Sequence, residues 1–321
     1  MSVFTTVHEH QLNQFLTQFD CGQLVSFAGI AAGIENTNYF VTTDRYALVL
    51  TLFEHHQPDE LHYFLDLMAY LAEHDIPTAH PMCSKSGSYL GELNGKPAAL
   101  VRRLTGGSLE HPNTEECRTM GTALGRMHRT SPGFGGYRAP DRALPWLQQT
   151  GAILAKHLAK DMEGETVALL EDELSFQQNH PRDHLPQGAI HADLFRDNAL
   201  FENGRLTGII DLYYACNDAL AYDLAVTVND WCRNEQDGID ETRARAMLAG
   251  YQDERPLNDD ERAAWPGLLR AAAMRFWLSR LKDQCFPREG EMTYQKDPEV
   301  FRRLLITHRA QADATRAWLN G

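Results

Sequence analysis

Residues 191–211 read HADLFRDNALFENGRLTGIID. His191, Asp193 and Asn198 stand in the spacing H-x-D-x-x-x-x-N, and Asp211 closes the apolar run Gly208-Ile209-Ile210. Between them Asn203-Gly204 divides two short apolar runs, the pair a two-residue hairpin turn prefers because both positions need positive φ. Taken singly, Asp193 and Asn198 read as turn residues that cap local backbone. Taken together with Asp211 they read as a site for phosphoryl transfer, a reaction that asks a protein for positioning and charge neutralisation more than for covalent chemistry. Asp193 is then the carboxylate facing an acceptor hydroxyl. Asn198 and Asp211 are oxygen ligands for Mg²⁺, which takes hard donors and keeps part of its water shell.

A catalytic loop followed by a hairpin and a second Asp is the protein-kinase-like order of parts. The expected fold class is therefore α+β: two lobes, with a small antiparallel-sheet N-lobe carrying one helix and a larger, mainly helical C-lobe. His191 reads as a buried support for the loop rather than a base. Arg196 has two equal readings, a cation on the transferring phosphoryl group or a solvated loop charge, and it enters the catalytic set with Asp193. Asp197 and Asp223 read as structural, Asp223 near a helix N-terminus.

Outward from the loop, residues 24–53 alternate apolar runs with turn-formers and predict a three-strand antiparallel meander. Leu61, Leu65, Met68 and Leu71 fall at helical spacing and predict a helix that ends before Pro77. Short strands are expected at 79–84, 88–93 and 97–103. From about 113 the period becomes helical, with 146–178 as one long stretch. Asn258 and Glu261 form a capping box for a further helix, in which Pro266 should produce a kink or break. The expected domains are 1–103, binding nucleotide, and 104–321, carrying the catalytic loop and acceptor site. A hinge near 101–106 joins them, and the cleft between lobes is the expected ligand site.

Composition narrows the class. With 321 residues, 43% of them hydrophobic, the chain can bury a large core, and its length suits two domains. A net charge of -14 with no dense basic run disfavours nucleic acid and anionic membrane as partners. Six cysteines without a CxxC pair read as reduced thiols, and no leader or run of 18 apolar residues is seen. The expected location is cytoplasmic.

The segment 27–41, FAGIAAGIENTNYFV, joins the first two strands. Gly29, Ala31, Ala32 and Gly33 would let backbone N–H groups approach ATP phosphates, with Asn38 lining the same turn, although two glycines in a hairpin need no ligand. The third strand carries Thr51 where protein-kinase-like enzymes carry a phosphate-binding Lys. Arg102 or Arg103 is the expected substitute, and no Lys is there to pair with Glu60.

Several stretches carry a wider likeness: MSVFT at 1–5, GIAAGIENTNYFV at 29–41, VLTLFE at 49–54, GKPAALVRRLTG at 95–106, HADLFRDN, TGIIDLYYACN at 207–217, YDLAVTVNDWC at 222–232 and RFWLSRL at 275–281. They resemble the aminoglycoside phosphotransferase superfamily and, more closely, its type II homoserine kinase branch, in which Thr is also the residue at the Lys position. The resemblance implies ATP and Mg²⁺ as cofactors and L-homoserine as the small-molecule substrate, phosphorylated on its side-chain hydroxyl. For that zwitterion the expected contacts are Asn229, Asp230, Trp277 and Arg280, with Arg280 on the carboxylate. Other hydroxyl kinases of the superfamily, acting on aminoglycosides, choline or fructosamine, remain the rival reading, followed by a pseudokinase.

Overall fold

Along Thr37–Thr43 every second side chain is buried and those between are half-exposed, the period of a strand with one face on a core. The computed structural model describes residues 4–30, 36–158, 164–236, 238–287 and 296–319. They divide into two compact units that interleave in sequence. The first comprises 1–108, 134–138 and 199–213, and the second 109–133, 139–198 and 214–321.

The first unit opens with α1 (Glu9–Leu16), β1 (Leu24–Gly29), β2 (Thr37–Thr43) and β3 (Ala47–Leu52). It continues with α2 (Pro58–Glu73), β4 (Gly91–Leu93) and β5 (Lys96–Arg102). The five strands form one antiparallel sheet in the order β1-β2-β3-β5-β4, with Asn38 opposite Thr51 and Leu48 opposite Arg102. Leu12 and Phe15 of α1 pack with Val41, Leu48, Leu50 and Leu100 of the sheet in a closed apolar core. The expected strand at 79–84 is reduced to isolated bridges at Pro81 and Ser84. Pro81 has no N–H to donate to a ladder, and a turn closed by Gly87 N–H on Ser84 O at 2.9 Å follows at once. Only 91–93 of the expected 88–93 pairs as strand.

The second unit is helical except for one two-stranded sheet. It contains α3 (Thr114–Thr130), α4 (Leu144–Leu158), α5 (Gly164–Asn179) and β6 (Gln187–Ile190). The hairpin of β7 (Ala199–Glu202) and β8 (Arg205–Ile209) belongs to the first unit. Its turn residues Asn203 and Gly204 have φ of 52° and 74°, as their sequence demands. Then come β9 (Cys216–Ala219), which pairs with β6, α6 (Leu220–Trp231), α7 (Glu241–Glu254), α8 (Asp259–Cys285), α9 (Glu299–Ala310) and α10 (Ala312–Ala317).

Every described residue of 146–178 is helical, in α4 and α5, and the residues between them lie outside the described set. One helical expectation is corrected here. The 27-residue α8 starts at its Asn258 capping box and runs unbroken through Pro266. Proline costs a helix interior about 3 kcal/mol. Trp265, Leu268 and Leu269, all buried beside it, are each worth about 2 kcal/mol of burial, so packing outweighs the breaker.

Candidate active site

Strand β6 delivers the chain directly into the loop 191–198. Ala192 adopts φ of +63° without being glycine, a conformation costing about 1–3 kcal/mol that persists only where surroundings enforce it. The enforcing group is Asp223 in the first turn of α6. Its carboxylate accepts the N–H of His191 at 2.8 Å and that of Ala192 at 2.7 Å, and it is fully buried. Behind it, His128 Nε2 donates to Asp223 at 3.0 Å, Tyr251 Oη donates to His128 Nδ1 at 2.9 Å, and Arg255 donates to Tyr251 Oη at 3.0 Å. Burial pushes the Asp223 carboxyl upward, but the His128 bond and the loop N–H outweigh it and hold the group below its ordinary range. Burial likewise depresses His128, which stays neutral. The loop is thus clamped by an ionised carboxylate at the end of a buried chain of hydrogen bonds.

Asp193 follows the strained residue, its N–H donating to His191 Nδ1 at 3.3 Å. His191 is fully buried, as a loop support should be. Asn198 reaches back across the loop: its Nδ2 donates to Asp193 O at 2.8 Å and sits 3.4 Å from Asp193 Oδ2. Among the described residues no hydrogen bond reaches Asn198 Oδ1. Trp231 Nε1 donates to Leu194 O at 3.1 Å, and Asp230 Oδ2 accepts both the backbone N–H and the Nε of Arg196, at 2.8 and 3.1 Å. Arg196 also donates to Glu110 O at 2.6 Å. Arg196 and Asp230, expected on phosphoryl group and substrate respectively, hold each other. Their pairing fixes the far end of the loop, and Asp197 is exposed against Lys296 at 2.9 Å.

In the first unit, Asp211 follows β8 with φ of +62° and an exposed side chain. Thr51 Oγ1 donates to Asn38 Oδ1 at 2.7 Å, so the residue at the Lys position is spent on its cross-strand neighbour. Gly29 ends β1 opposite Tyr39, while Ala31, Ala32 and Gly33 lie outside the described residues. Arg102 stacks over Tyr46 at 3.6 Å, at the opposite end of the strands from Asn38 and Thr51. The expected phosphate contact is therefore replaced by a stacked surface arginine. Glu60 finds a different cation, Arg138, at 3.1 Å.

Residues 26–257 match the phosphotransferase enzyme family. The chain belongs to that family. Its relatives include homoserine kinases of Methylobacillus flagellatus, 50% identical over all of this chain and 99% of that one, and of Neisseria meningitidis serogroup B, 41% identical over 96% and 99%. Its fold is that of the solved spectinomycin phosphotransferase in complex with ADP and spectinomycin, with a TM-score of 0.71 at 12% identity over 96% of this chain and 99% of that one. An amicoumacin kinase bound to AMP-PNP and Ca²⁺ superposes with a TM-score of 0.68 at 16% identity over 96% and 94%. The fold is the protein-kinase-like α+β architecture.

Two acceptor contacts expected in this phosphotransferase, Asn229 and Trp277, are corrected by packing. Asn229 is fully buried, donating to Leu269 O at 2.9 Å and accepting from His308 Nε2 at 2.8 Å. Trp277 is fully buried. Arg280 donates to Asp297 O at 3.0 Å and lies over Phe301 at 4.5 Å. Burial and Arg233 nearby lower its pKa to about 10, against the pull of Asp230, Asp193 and Asp197. The arginine that meets the 191–198 loop is Arg275, five residues earlier on α8. Its Nη1 is 3.4 Å from Asp193 Oδ1, and its side chain is 7% exposed. A buried Arg in the apolar run AAAMRFWL was the available sequence signal.

Proposed function

We infer that the chain is a homoserine kinase, transferring the γ-phosphoryl group of ATP to the side-chain hydroxyl of L-homoserine. The observation that carries this reading is the clamped loop with Asp193 at its tip, in a chain matched from end to end by relatives named homoserine kinase. The structural relatives with bound ADP and AMP-PNP support ATP as the donor.

Asp193 accepts the proton of the acceptor hydroxyl as its oxygen attacks the γ-phosphorus. The bond from that phosphorus to the β,γ-bridging oxygen breaks, and ADP departs. Arg275 Nη1, 3.4 Å from Asp193 Oδ1, orients that carboxylate, and Asn198 Nδ2 fixes its backbone. Asn198 Oδ1 and the exposed Asp211 carboxylate are each hard oxygen donors of the kind Mg²⁺ takes. The ion, when bound, would neutralise phosphate charge. Among the described residues no helix is long and apolar enough to cross a membrane. None of the six cysteines is in a disulfide, which supports a reducing, cytoplasmic location.

The test is ADP release with L-homoserine, L-serine, L-threonine, choline and kanamycin as acceptors. Turnover selective for L-homoserine is expected, and selectivity for choline or kanamycin would move the chain to another branch. Chelation of divalent cations should abolish turnover; activity that survives it removes Asn198 and Asp211 from the mechanism.

A further inference from the structure

We propose that Tyr213 takes the place of the absent third-strand Lys, its hydroxyl donating a hydrogen bond to a phosphate oxygen of the nucleotide. The proposal rests on ATP being the phosphoryl donor, as inferred above. Every residue it uses, from Asn38 to Tyr213, belongs to the first unit.

Thr51 stands in β3 with Asn38 opposite on β2 and Ala99 opposite on β5, so neither strand neighbour is a cation. Lys96, also on β5, is bound to Glu54 at 3.2 Å, and Arg103 lies over Phe40 at 3.9 Å. The hydroxyl of Tyr213 does reach Thr51 and shares a side-chain hydrogen bond with it. Two rings seat the phenol from different elements. Phe53, just past the end of β3, meets it edge-on at 5.1 Å, and Phe64 of α2 does so at 6.0 Å. Both are buried, so ring packing, rather than the hydroxyl, sets the place of Tyr213.

The proton count fixes which way that bond runs. Thr51 gives its one hydroxyl proton to Asn38 Oδ1 at 2.7 Å, so toward Tyr213 it can only accept, and the phenol is the donor. A hydroxyl hydrogen rotates to the better acceptor, and a charged phosphate oxygen outcompetes the neutral oxygen of Thr51. The reach is also right. A Lys at position 51 would carry its ammonium about 6 Å from its Cα. Thr51 Oγ1 lies about 2.4 Å from the same Cα and a hydrogen bond adds about 3 Å, so the phenol oxygen stands up to about 5 Å out, close to the missing ammonium. In the protein-kinase-like order of parts the β3 position and the Asp after the hairpin act on one triphosphate. Tyr213 touches the first and follows the second, Asp211, by two residues.

The experiment uses the full chain and two probes, ADP with Mg²⁺ and adenosine, titrated by calorimetry. In Tyr213→Phe, which keeps the ring and its packing, the Kd for ADP should rise about 10-fold or more, the worth of a hydrogen bond to a charged group. Adenosine, which has no phosphate, should bind that variant as it binds the wild type. Thr51→Val should keep its ADP affinity, because Thr51 spends its proton on Asn38. The melting midpoint of each variant confirms that it is folded. An unchanged Kd for ADP in Tyr213→Phe, or an equal loss for adenosine, overturns the assignment. A loss of ADP affinity in Thr51→Val as large as that in Tyr213→Phe gives the phosphate contact to Thr51 and overturns it too. Wild-type binding of ADP, and its release from ATP with L-homoserine, are measured first: their absence defeats the functional reading, whereas their presence with an unresponsive Tyr213→Phe defeats only this inference.

Discussion

At the scale of single residues the catalytic loop is held by charges that water does not reach. Asp193→Asn keeps the shape of the side chain and removes the proton acceptor, so kcat should fall about 10²–10⁴-fold with the KM for ATP nearly unchanged. Steady-state kinetics checks this, and full activity in the variant would take Asp193 out of the mechanism. Asp223 is the other decisive carboxylate. Asp223→Ala strands two buried N–H groups and the strained Ala192, and it should destabilise the fold by about 3–5 kcal/mol, the usual cost of breaking a buried charged cluster. Urea denaturation measures it; a loss under 1 kcal/mol would show that Ala192 holds its conformation unaided. The role proposed for Asp193 was legible because its motif is local, eight residues long. Asp223 was legible only as structural, since nothing in AYDLA states which backbone groups will face its carboxylate.

Among the elements, α3 and α7 show how closely two helices can approach when small residues meet. A Cβ placed on Gly121 would stand 2.0 Å from Met247 O, and one on Gly250 would stand 2.3 Å from Arg118 O. Both obstacles are backbone, which cannot rotate aside. Gly121→Ala should therefore cost about 1–3 kcal/mol or more despite the better helix propensity of alanine. Gly164→Ala at the start of α5, where a new methyl meets nothing within 4 Å, should cost nothing. Thermal denaturation of the two variants decides the matter, and equal midpoints would refute close packing as the reason for Gly121. The helices themselves were legible from apolar period and, for α8, from its cap: Asn258 accepts the N–H of Glu261 at 2.8 Å. Continuity through Pro266 was not, because it depends on what Trp265 and Leu269 bury against.

For the whole molecule, buried histidines tie stability to pH. His308 on α9 is held to a pKa of about 3 by burial, with Arg270 adding to the effect, while it donates to Asn229 of α6. Unfolded, it titrates near 6.5, so between pH 6.5 and 3 the unfolded chain binds a proton that the native state refuses. Stability is therefore complete above pH 6.5 and declines as the pH falls, by up to about 1.4 kcal/mol per pH unit for one such group. His128, also depressed by burial, acts with the same sign. The melting midpoint should hold from pH 8 to 7 and drop toward pH 5, and His308→Gln should flatten that slope. An identical slope in the variant would assign it to other groups. By itself the sequence determined the fold class and the type of chemistry, and it pointed to Asp193 as the expected carboxylate, because loop spacing, hairpin turn and helical period are written in neighbouring residues. Only the tertiary structure decided which arginine stands within hydrogen-bond reach of Asp193. Arg275 and Arg280 share one helix, and at about 100° per residue five positions turn them roughly 140° apart. The packing of α8 alone determines which of those faces meets Asp193.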